Sequence, residues 1–333
     1  MKVVVCGANG CIGSAISLAL RAQGHSVIEG VRDVAKASND ARGLEVNISH
    51  TLTPAQWAAR LRGVDAVINA VGILMESHGQ RFAAIHSAGP RALFAGAQLA
   101  GVKRVLQISA LGIDKSATAY AQSKLQADDA LAQSELAYTV LRPSLVYGPR
   151  SQSLKVFTQM SRLPLIALPS KGDQALQPLH SYELADIACK LLAVPASRSV
   201  VEVGGNQVLS YREILETLRR VQGLRPALYL PVPMWFMRSI AAVAERLPQQ
   251  VLSRDGLGML EQGCVTSQNA AEHWLGRAPT LFAEGAAMEL AKPADADDKK
   301  RLLGISTHPH AIHCEANIDA AGATHGSALR ARS

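Results

Sequence analysis

The sequence predicts an α/β protein built on a Rossmann-type, doubly wound parallel sheet with a smaller C-terminal substrate lobe. Three features carry this prediction: an apolar amino-terminal strand that ends in a glycine-rich turn, strand and helix patterns that alternate through the first half, and a change of texture after Pro149. Alternation of this kind is typical of a parallel sheet that is covered by helices on both faces.

The first predicted strand, residues 3–6, runs into a glycine-rich loop. Gly7 suits a sharp turn, Gly10 lets a pyrophosphate approach the backbone, and Gly13 lets the next helix pack closely on the sheet. That helix, predicted over residues 12–22, directs free N–H groups and its positive dipole end at the phosphates. We therefore expect a dinucleotide-binding loop, the alternative being a tight turn that binds nothing. The loop residues expected to contact the cofactor are Gly7, Asn9, Gly10, Cys11, Ile12 and Gly13.

The second predicted strand, residues 26–30, is followed by a basic and an acidic residue. Arg32 comes first, and a guanidinium suits the 2′-phosphate of NADP(H). Asp33 comes next, and a carboxylate at this place accepts hydrogen bonds from the ribose of NAD(H). We expect NADP(H) to be preferred and NAD(H) to be possible, with a solvated Arg32 as the alternative.

The alternation continues to about residue 150. The other strands expected there are residues 44–47, 66–70, 104–109 and 138–142, and the other helices are residues 54–61, 82–99 and 120–133. Beyond it we expect short helices at residues 182–192, 211–221 and 234–246 and a strand at 200–203. The predicted organisation is an NAD(P)-binding Rossmann domain over residues 1–150, a smaller substrate or partner lobe over 151–292 that can interleave with it, and a disordered tail over 293–333.

Ser109, Tyr120 and Lys124 form a candidate catalytic set. Ser109 ends the fifth strand, at the edge where open α/β sheets bind ligands, and can orient a substrate oxygen. Tyr120 and Lys124 are four residues apart on one helix, so the ammonium can lower the pKa of the phenol and hold ribose hydroxyls. Tyr120 would then exchange a proton while hydride moves to or from a nicotinamide. A surface pair is the alternative for Tyr120 and Lys124 alone, but Ser109 and the glycine loop favour a site.

Composition narrows the function classes. Apolar residues make up 48% and charged residues 18%, which fits a soluble globular protein with a small-molecule substrate. The net charge of +7 favours an anionic partner such as a phosphate or an anionic lipid. Aromatic residues make up only 4% and the basic residues are scattered, so we do not expect nucleic acid to bind.

The sequence also predicts a cytoplasmic protein. Its five cysteines are spread out without a Cys-x-x-Cys pair, so we expect free thiols in a reducing compartment. The first strand begins at the amino terminus, so we expect no signal or transit peptide. No apolar run reaches the roughly 18 to 20 residues that span a bilayer.

The segment 231–248 is amphipathic and contains Trp235 and Phe236. We expect it to pack as an ordinary helix of the lobe. The alternative is a contact with a membrane surface or with a respiratory complex, which would make the protein peripheral to the membrane.

Two further groups of polar residues have structural alternatives. Four residues of the tail could bind a metal by their type: His308, His310, His313 and Cys314. No second pair of ligands and no predicted helix or strand accompanies them, so we expect no metal site. Asp128 and Asp129 are expected on a solvated helix face, and His180 and Asp186 are expected in lobe packing rather than in substrate contact.

These residues resemble the short-chain dehydrogenase/reductase superfamily, in its extended or atypical epimerase-like branch. The specific marks are the glycine loop at 7–13, Asn-Ala-Val-Gly at 69–72, Ser-Ala-Leu-Gly at 109–112, Tyr-x-x-x-Lys at 120–124 and Leu-Arg-Pro-Ser-Leu-Val-Tyr-Gly-Pro at 141–149. The motifs at 177–180, 183–188 and 203–205 are similar to the group related to the nucleotide-binding accessory subunit of respiratory complex I. The resemblance covers about residues 1–280.

The resemblance implies further cofactor contacts. Asn47 would lie near the adenine, Pro143 would lie beside the nicotinamide, and Ala70, Val71 and Gly72 would line the dinucleotide. It implies an NAD(P)-dependent oxidoreductase or an epimerase/dehydratase-like enzyme that uses the Ser-Tyr-Lys set, with its substrate unnamed. The alternative is a non-catalytic accessory or assembly protein that holds the nucleotide, as in a respiratory complex.

Overall fold

The computed structural model describes residues 1–37, 42–48, 52–77, 79–195, 198–244 and 254–291. The strands are β1 Lys2–Cys6, β2 Ser26–Val31, β3 Arg42–Glu45, β4 Ala66–Asn69, β5 Arg104–Ile108, β6 Tyr138–Pro143, β7 Val146–Tyr147, β8 Leu165–Pro169, β9 Ala175–Leu176, β10 Leu179–His180, β11 Ser199–Val203, β12 Leu209–Ser210 and β13 Leu228–Val232. The helices are α1 Cys11–Ala22, α2 Pro54–Arg60, α3 Gly89–Leu99, α4 Ala119–Ala132, α5 Gln152–Ser161, α6 Ser181–Ala193, α7 Tyr211–Val221, α8 Met234–Ala244, α9 Arg254–Gln262, α10 Ala271–Leu275 and α11 Phe282–Leu290.

The main sheet has the strand order β3-β2-β1-β4-β5-β6-β11, and its seven strands are parallel throughout. Its strand β1, which has neighbours on both sides, contains three consecutive valines that are fully buried. Such a continuous apolar run suits a strand that is covered on both faces, because neither face can be polar. The predicted doubly wound α/β fold is confirmed.

Helices cover both faces of this sheet. On one face α1 packs against α6, and their apolar side chains form one core with β1 and β2. On the other face α2, α3 and α4 form a second core, in which Trp57 is almost completely buried. Since every crossover returns to the same edge, the carboxyl ends of β1, β4, β5 and β6 meet there.

The helix predicted over residues 82–99 is divided in the structure. A π-helical turn, Ala83–Ala88, precedes α3, which begins at Gly89. Pro90 lies in the first turn of α3, and its ring carries no N–H group to continue the preceding hydrogen-bond ladder. The division places the side chain of His86 toward the carboxyl edge of the sheet, as described below.

The C-terminal part of the chain contributes to the main sheet and also forms a separate core. Strand β11 pairs with β6 in parallel, and its register joins Val203 to Pro143. The separate core contains α5, α7, α11 and β8, with Tyr147 and Phe282 packed edge to face. His180 is fully buried, where it caps α6 through Tyr182 N and contacts Glu289, which agrees with the expected packing role. The sequence pattern missed α5, α9, α10 and α11, the five-residue strands β8 and β13, and the two-residue strands. Two-residue strands carry no measurable period.

Several expectations concern surface and thiol chemistry. No helix among the described residues is long and apolar enough to span a membrane. Four of the five cysteines lie in this part of the chain, and all four are free thiols. The described residues contain no cluster of metal-ligating side chains. The tail from residue 293, with its histidines, lies outside the described residues.

Candidate active site

The glycine loop lies at the carboxyl edge of the sheet, between β1 and α1. Gly7 has a φ of +82°, and a Cβ there would lie 2.9 Å from Ala70 O. A Cβ on Gly13 would lie 2.2 Å from Gly7 O, so α1 can approach the turn only with glycine at this position. Gly10 is different, because its Cβ would meet only Gly7 O, at 3.3 Å. Gly7 and Gly13 are therefore required by the backbone conformation and packing of the loop. Gly10 instead leaves the surface of the loop without a side chain, so a ligand can approach the backbone there.

The amino-terminal end of α1 fits a phosphate group. Gly10 is its N-cap, no side chain caps it, and its first turn contains no acidic residue. The first N–H groups of a helix have no partner within the helix, and they attract anions together with the helix dipole. Exposed Asn9 and half-buried Cys11 and Ile12 surround this end. The loop therefore offers the cradle that a dinucleotide pyrophosphate needs.

The segment after β4 borders the same cradle. Asn69 is fully buried, its amide donates to Gln107 Oε1 (2.8 Å), and its carbonyl oxygen accepts from Val71 N (3.3 Å). This pair of hydrogen bonds fixes the turn through Ala70 and Val71. Gly72 follows and is exposed, so the backbone after β4 is open to a ligand.

His86 fastens this segment to α4. Its Nε2 accepts from Ile73 N (3.0 Å), so Nδ1 carries the proton and donates to Ser123 Oγ (3.1 Å). Ser123 Oγ in turn donates to Tyr120 O (2.7 Å). Burial and, to a smaller extent, the charge of Lys124 together lower the pKa of His86 to about 2. His86 is therefore a neutral connector with a fixed tautomer, and the sequence interpretation did not single it out.

Tyr120 and Lys124 lie on one face of α4, and this face is turned toward the segment after β4. Lys124 Nζ lies 5.8 Å from the centroid of the Tyr120 ring and donates to Ile108 O (3.2 Å). A Cβ on Gly72 would lie 3.8 Å from this Nζ, so the ammonium borders the open backbone. An ammonium has three donors, which leaves two for a ligand. Among the described residues none forms a hydrogen bond with the Tyr120 hydroxyl.

The protonation states differ from the sequence prediction. Burial raises the pKa of Tyr120 above its usual range, and nearby Cys264 raises it further. Burial lowers the pKa of Lys124 to about 8, an effect that Asp128 opposes. Tyr120 is therefore a neutral phenol at neutral pH, which is a proton donor rather than a base.

Ser109 does not have the arrangement that we expected. Its hydroxyl is buried and donates to Asp128 Oδ2 (2.8 Å), which also accepts from Arg142 Nη2 (3.2 Å). The hydroxyl hydrogen is thus used within the protein, and Ser109 connects the end of β5 to α4. The expectation that Asp128 lies on a solvated face is wrong, because Ser109 and Arg142 give its carboxylate partners in the interior. Asp129 is exposed, as expected.

A sequence signal for Asp128 exists. Tyr120, Lys124 and Asp128 are spaced by four residues, which places them on one face of α4. Arg142 is the only charged residue of the buried strand β6, where a charge needs a partner. His86 had no comparable signal, because it lies in a helix pattern of its own and far from the other site residues along the chain.

The C-terminal lobe closes the site with apolar side chains. Tyr120 belongs to an apolar cluster, and its ring meets those of Phe82 and His86 edge to face, with centroids 5.8 Å and 5.2 Å away. The other members of the cluster are Ile113, Ala121, Ile73, Ala110, Leu125 and Met259. Met259 belongs to α9, whose Asp255 accepts a hydrogen bond from Ala119 N (3.1 Å) at the start of α4. Cys264 follows α9, and burial raises the pKa of its thiol to about 12, so it is uncharged. The surroundings of the phenol are therefore mostly apolar, with the neutral imidazole of His86, the neutral thiol of Cys264 and the ammonium of Lys124 as their polar members.

The remaining predicted cofactor residues lie along the same edge. Arg32 is exposed after β2, and the carboxylate of Asp33 caps the next turn through Ala35 N (3.1 Å). Asn47 is half-buried after β3. Pro143 ends β6, and its carbonyl oxygen accepts from Leu111 N (2.9 Å). These four positions and the glycine loop all follow or end parallel strands of the main sheet, so they lie at the same carboxyl edge.

Comparison with known proteins agrees with this geometry. The model of the NAD(P)H-binding family matches residues 7–162. An uncharacterized sugar epimerase of Bacillus subtilis is 32% identical over 152 residues, which are 43% of this chain and 71% of that protein. The chain belongs to this NAD(P)H-binding, epimerase-like family. The resemblance that the sequence motifs indicated is confirmed.

Two other relatives match in part. A ceramide reductase of Caulobacter vibrioides is 26% identical over 200 residues, which are 58% of this chain and only 62% of the reductase. The mitochondrial subunit 9 of the NADH dehydrogenase [ubiquinone] 1 alpha subcomplex of Dictyostelium discoideum is 31% identical over 106 residues, which are 31% of this chain and 29% of the subunit. The chain spans less than two thirds of either protein.

Solved structures share the fold. The NADPH-dependent quinone oxidoreductase of Escherichia coli, complexed with NADPH, has a TM-score of 0.70 at 18% identity, covering 86% of this chain and 99% of that one. The UDP-glucose 4-epimerase of Thermotoga maritima, with UDP-glucose, has a TM-score of 0.66 at 17% identity, covering 87% and 97%. At these identities the likeness extends to the fold alone.

We predict that Gly10→Val leaves the fold intact and abolishes cofactor binding. The backbone at Gly10 is extended and its Cβ has room, but the branched side chain would occupy the phosphate position. Circular dichroism and calorimetric titration with NADPH would measure the two effects. Gly13→Val is the contrasting variant, and it should unfold the protein because its Cβ has no room. Undiminished binding by Gly10→Val would show that the cofactor does not use this loop.

We predict that Lys124→Met stabilises the folded protein at pH 7. Folding lowers the pKa of Lys124 from 10.5 to about 8. Below pH 8 the charged lysine therefore lowers the free energy of unfolding by on the order of 3 kcal/mol. Between pH 8 and 10.5 the unfolded chain holds a proton that the folded chain has lost, so wild-type stability rises with pH in this window. The advantage of Lys124→Met should shrink over the same window, as measured by denaturant unfolding of both proteins. A Lys124→Met variant less stable than the wild type at pH 7 would contradict the claim that burying the charged lysine destabilises the folded protein.

Proposed function

We propose that this protein is an NAD(P)H-dependent reductase of an apolar carbonyl compound, with Tyr120 as the proton donor. The single observation that carries the proposal is a buried, neutral phenol beside a buried ammonium at the carboxyl edge of a dinucleotide-binding sheet. When bound, the cofactor supplies the hydride. A carbonyl oxygen then needs one proton, and a neutral phenol can give it without first being charged.

The remaining residues of the site have binding and positioning roles in this proposal. The two open donors of Lys124 suit ribose hydroxyls, and its pKa near neutrality suits proton return to Tyr120. His86 keeps the segment after β4 at a fixed distance from α4. Ser109 acts through Asp128, so it is a positioning residue here and not a group that touches the substrate.

The apolar surroundings of Tyr120 support the substrate class. A sugar nucleotide carries a diphosphate and several hydroxyls, each of which needs a polar partner when buried. The side chains that pack around the phenol are mostly hydrocarbon; the others are the neutral imidazole of His86, whose two nitrogens already have partners, the neutral thiol of Cys264 and the ammonium of Lys124. A quinone or a long-chain ketone would leave few polar groups without partners in such surroundings.

NADPH is the preferred cofactor in this proposal. The Arg32 side chain is exposed at the end of β2, next to the glycine loop. The carboxylate of Asp33, which would otherwise favour NADH, already caps a turn. A guanidinium and a 2′-phosphate can form paired, charge-assisted hydrogen bonds.

A second candidate function is a nucleotide-holding accessory protein. It is favoured by the partial likeness to the NADH dehydrogenase subunit. In that case the cofactor stabilises the fold and Tyr120 has no chemical role.

We predict that Tyr120→Phe lowers turnover roughly 10²- to 10⁴-fold, because the ring stays and only the donor is lost. The affinity for NADPH should be nearly unchanged. NADPH oxidation with a short-chain quinone, an aliphatic ketone and a sugar nucleotide would measure turnover, and fluorescence titration would measure affinity.

Tyr211→Phe is the matched control, because Tyr211 is a buried tyrosine of the separate lobe core. It should keep wild-type turnover. If the wild type reduces a substrate and Tyr120→Phe does so equally fast, the catalytic assignment is wrong. The accessory function is favoured if the wild type binds NADPH but reduces no substrate, and if Tyr120→Phe has the same NADPH affinity and stability as the wild type.

We predict that Arg32→Ala weakens NADPH binding by about 1.5 to 3 kcal/mol and leaves NADH binding nearly unchanged. The reason is that only NADPH carries the 2′-phosphate. Calorimetric dissociation constants for both cofactors would decide it. Arg62→Ala is the control, since Arg62 is exposed and precedes β4, at the opposite edge of the sheet. An equal loss for both cofactors would show that Arg32 does not contact the 2′-phosphate.

A further inference from the structure

The C-terminal lobe carries a concentrated apolar surface, which we call the lobe patch. Leu228 is 74% exposed and Trp235 is 70% exposed, although both are large apolar side chains. The exposed members of the patch are Leu163, Leu165, Leu224, Leu228, Leu230, Trp235, Phe236 and Ile240. Single exposed apolar residues are ordinary on proteins, but a cluster of this size marks an interaction surface.

Two elements of defined geometry build the lobe patch. Strands β8 and β13 pair in parallel with Leu228 opposite Leu165, and the alternate residue Ile166 is buried in the lobe core. The strand pair therefore has apolar side chains on both faces, although only one face is covered. Helix α8 begins two residues after β13, and it too has apolar side chains on both a covered and an exposed face. It buries Met237 against α9 and turns Trp235 outward.

The charges within these segments have one sign. Residues 161–171 and 224–240 contain Arg162, Lys171, Arg225 and Arg238 and no aspartate or glutamate. All four basic side chains are exposed. Only Arg238 pairs with a carboxylate among the described residues, that of Glu261 on α9.

We propose that the lobe patch docks on the surface of an anionic lipid membrane. Its leucines, Trp235 and Phe236 would enter the boundary between headgroups and acyl chains, and the four cations would meet lipid phosphates. A second copy of the chain is a poorer occupant. A symmetric interface through this face would bring together Arg162, Lys171 and Arg225, for which the described residues provide no carboxylate partner.

The lobe patch is one helix away from Tyr120. On one side of α9, Leu257 packs with Met237 of α8, and further along α9, Met259 packs with the Tyr120 cluster. A docked protein would thus hold its candidate site close to the membrane surface, where lipid-soluble carbonyl compounds are concentrated. The docking itself rests on the surface geometry and charge, and it does not depend on the proposed reaction.

Vesicle co-sedimentation of the full-length protein tests this inference. We expect binding to vesicles of equimolar phosphatidylcholine and phosphatidylglycerol, and much weaker binding to phosphatidylcholine alone. The double variant Leu228→Ser with Trp235→Ser should lower binding at least about tenfold, because it removes two side chains that would be buried in lipid. Leu99→Ser is the matched control, since Leu99 is 68% exposed on α3, outside the patch, and should bind as the wild type does.

The charge contribution has its own pair of variants. Arg225→Glu should weaken binding to the mixed vesicles only, whereas Arg62→Glu should have a smaller effect. Cofactor titration on every variant reports the fold, so failure of docking and failure of the proposed reaction are distinguishable. Absence of wild-type vesicle binding would overturn the proposal. The proposal would also be overturned if the double variant bound vesicles as strongly as the wild type. A wild-type dimer in sedimentation velocity that is absent in the double variant would identify a second copy of the chain as the occupant and would overturn it too.

Discussion

The buried carboxylate of Asp128 connects three elements that must keep a fixed relation for the site to exist. It accepts hydrogen bonds from Ser109 at the end of β5 and from Arg142 in β6, while it belongs to α4 itself. Removing one partner of such a buried pair costs about 3–5 kcal/mol, because the other charge is left uncompensated. Two turns earlier on the same helix face lies Tyr120, with Lys124 between. The orientation of α4, and with it the position of the phenol, therefore depends on this carboxylate.

Burial determines the chemistry of the site more than charge does. Burial raises the pKa of the Tyr120 phenol and lowers that of the Lys124 ammonium, because desolvation opposes the charged form of either group. A neutral phenol that can donate a proton, beside an ammonium of lowered pKa that can replace it, suits the reduction of a carbonyl group. The backbone of the segment after β4 reaches this pair only because His86 accepts the Ile73 N–H and fixes the distance.

The sequence alone predicted the parts of the fold that depend on local patterns. The valine run of β1, the glycine loop and the four-residue spacing of Tyr120 and Lys124 each have a direct physical meaning, and the structure agrees with them. The partners of Ser109 and the neutral connector His86 could not be predicted, because they lie far apart along the chain and meet only through packing. The protonation of Tyr120 was wrongly expected for a related reason: the sequence shows the ammonium but not the depth at which both groups are buried.

The protonation of Tyr120 is the most direct test of this account. Tyrosine labelled with ¹³C at Cζ reports ionisation through its chemical shift, and the Tyr120→Phe spectrum assigns the signal among the six tyrosines. The account predicts that the Tyr120 signal stays at its protonated position from pH 6 to pH 10, with and without NADPH, since burial raises its pKa above the usual value of about 10. Ionisation of Tyr120 near neutral pH would contradict it and would make this tyrosine a base.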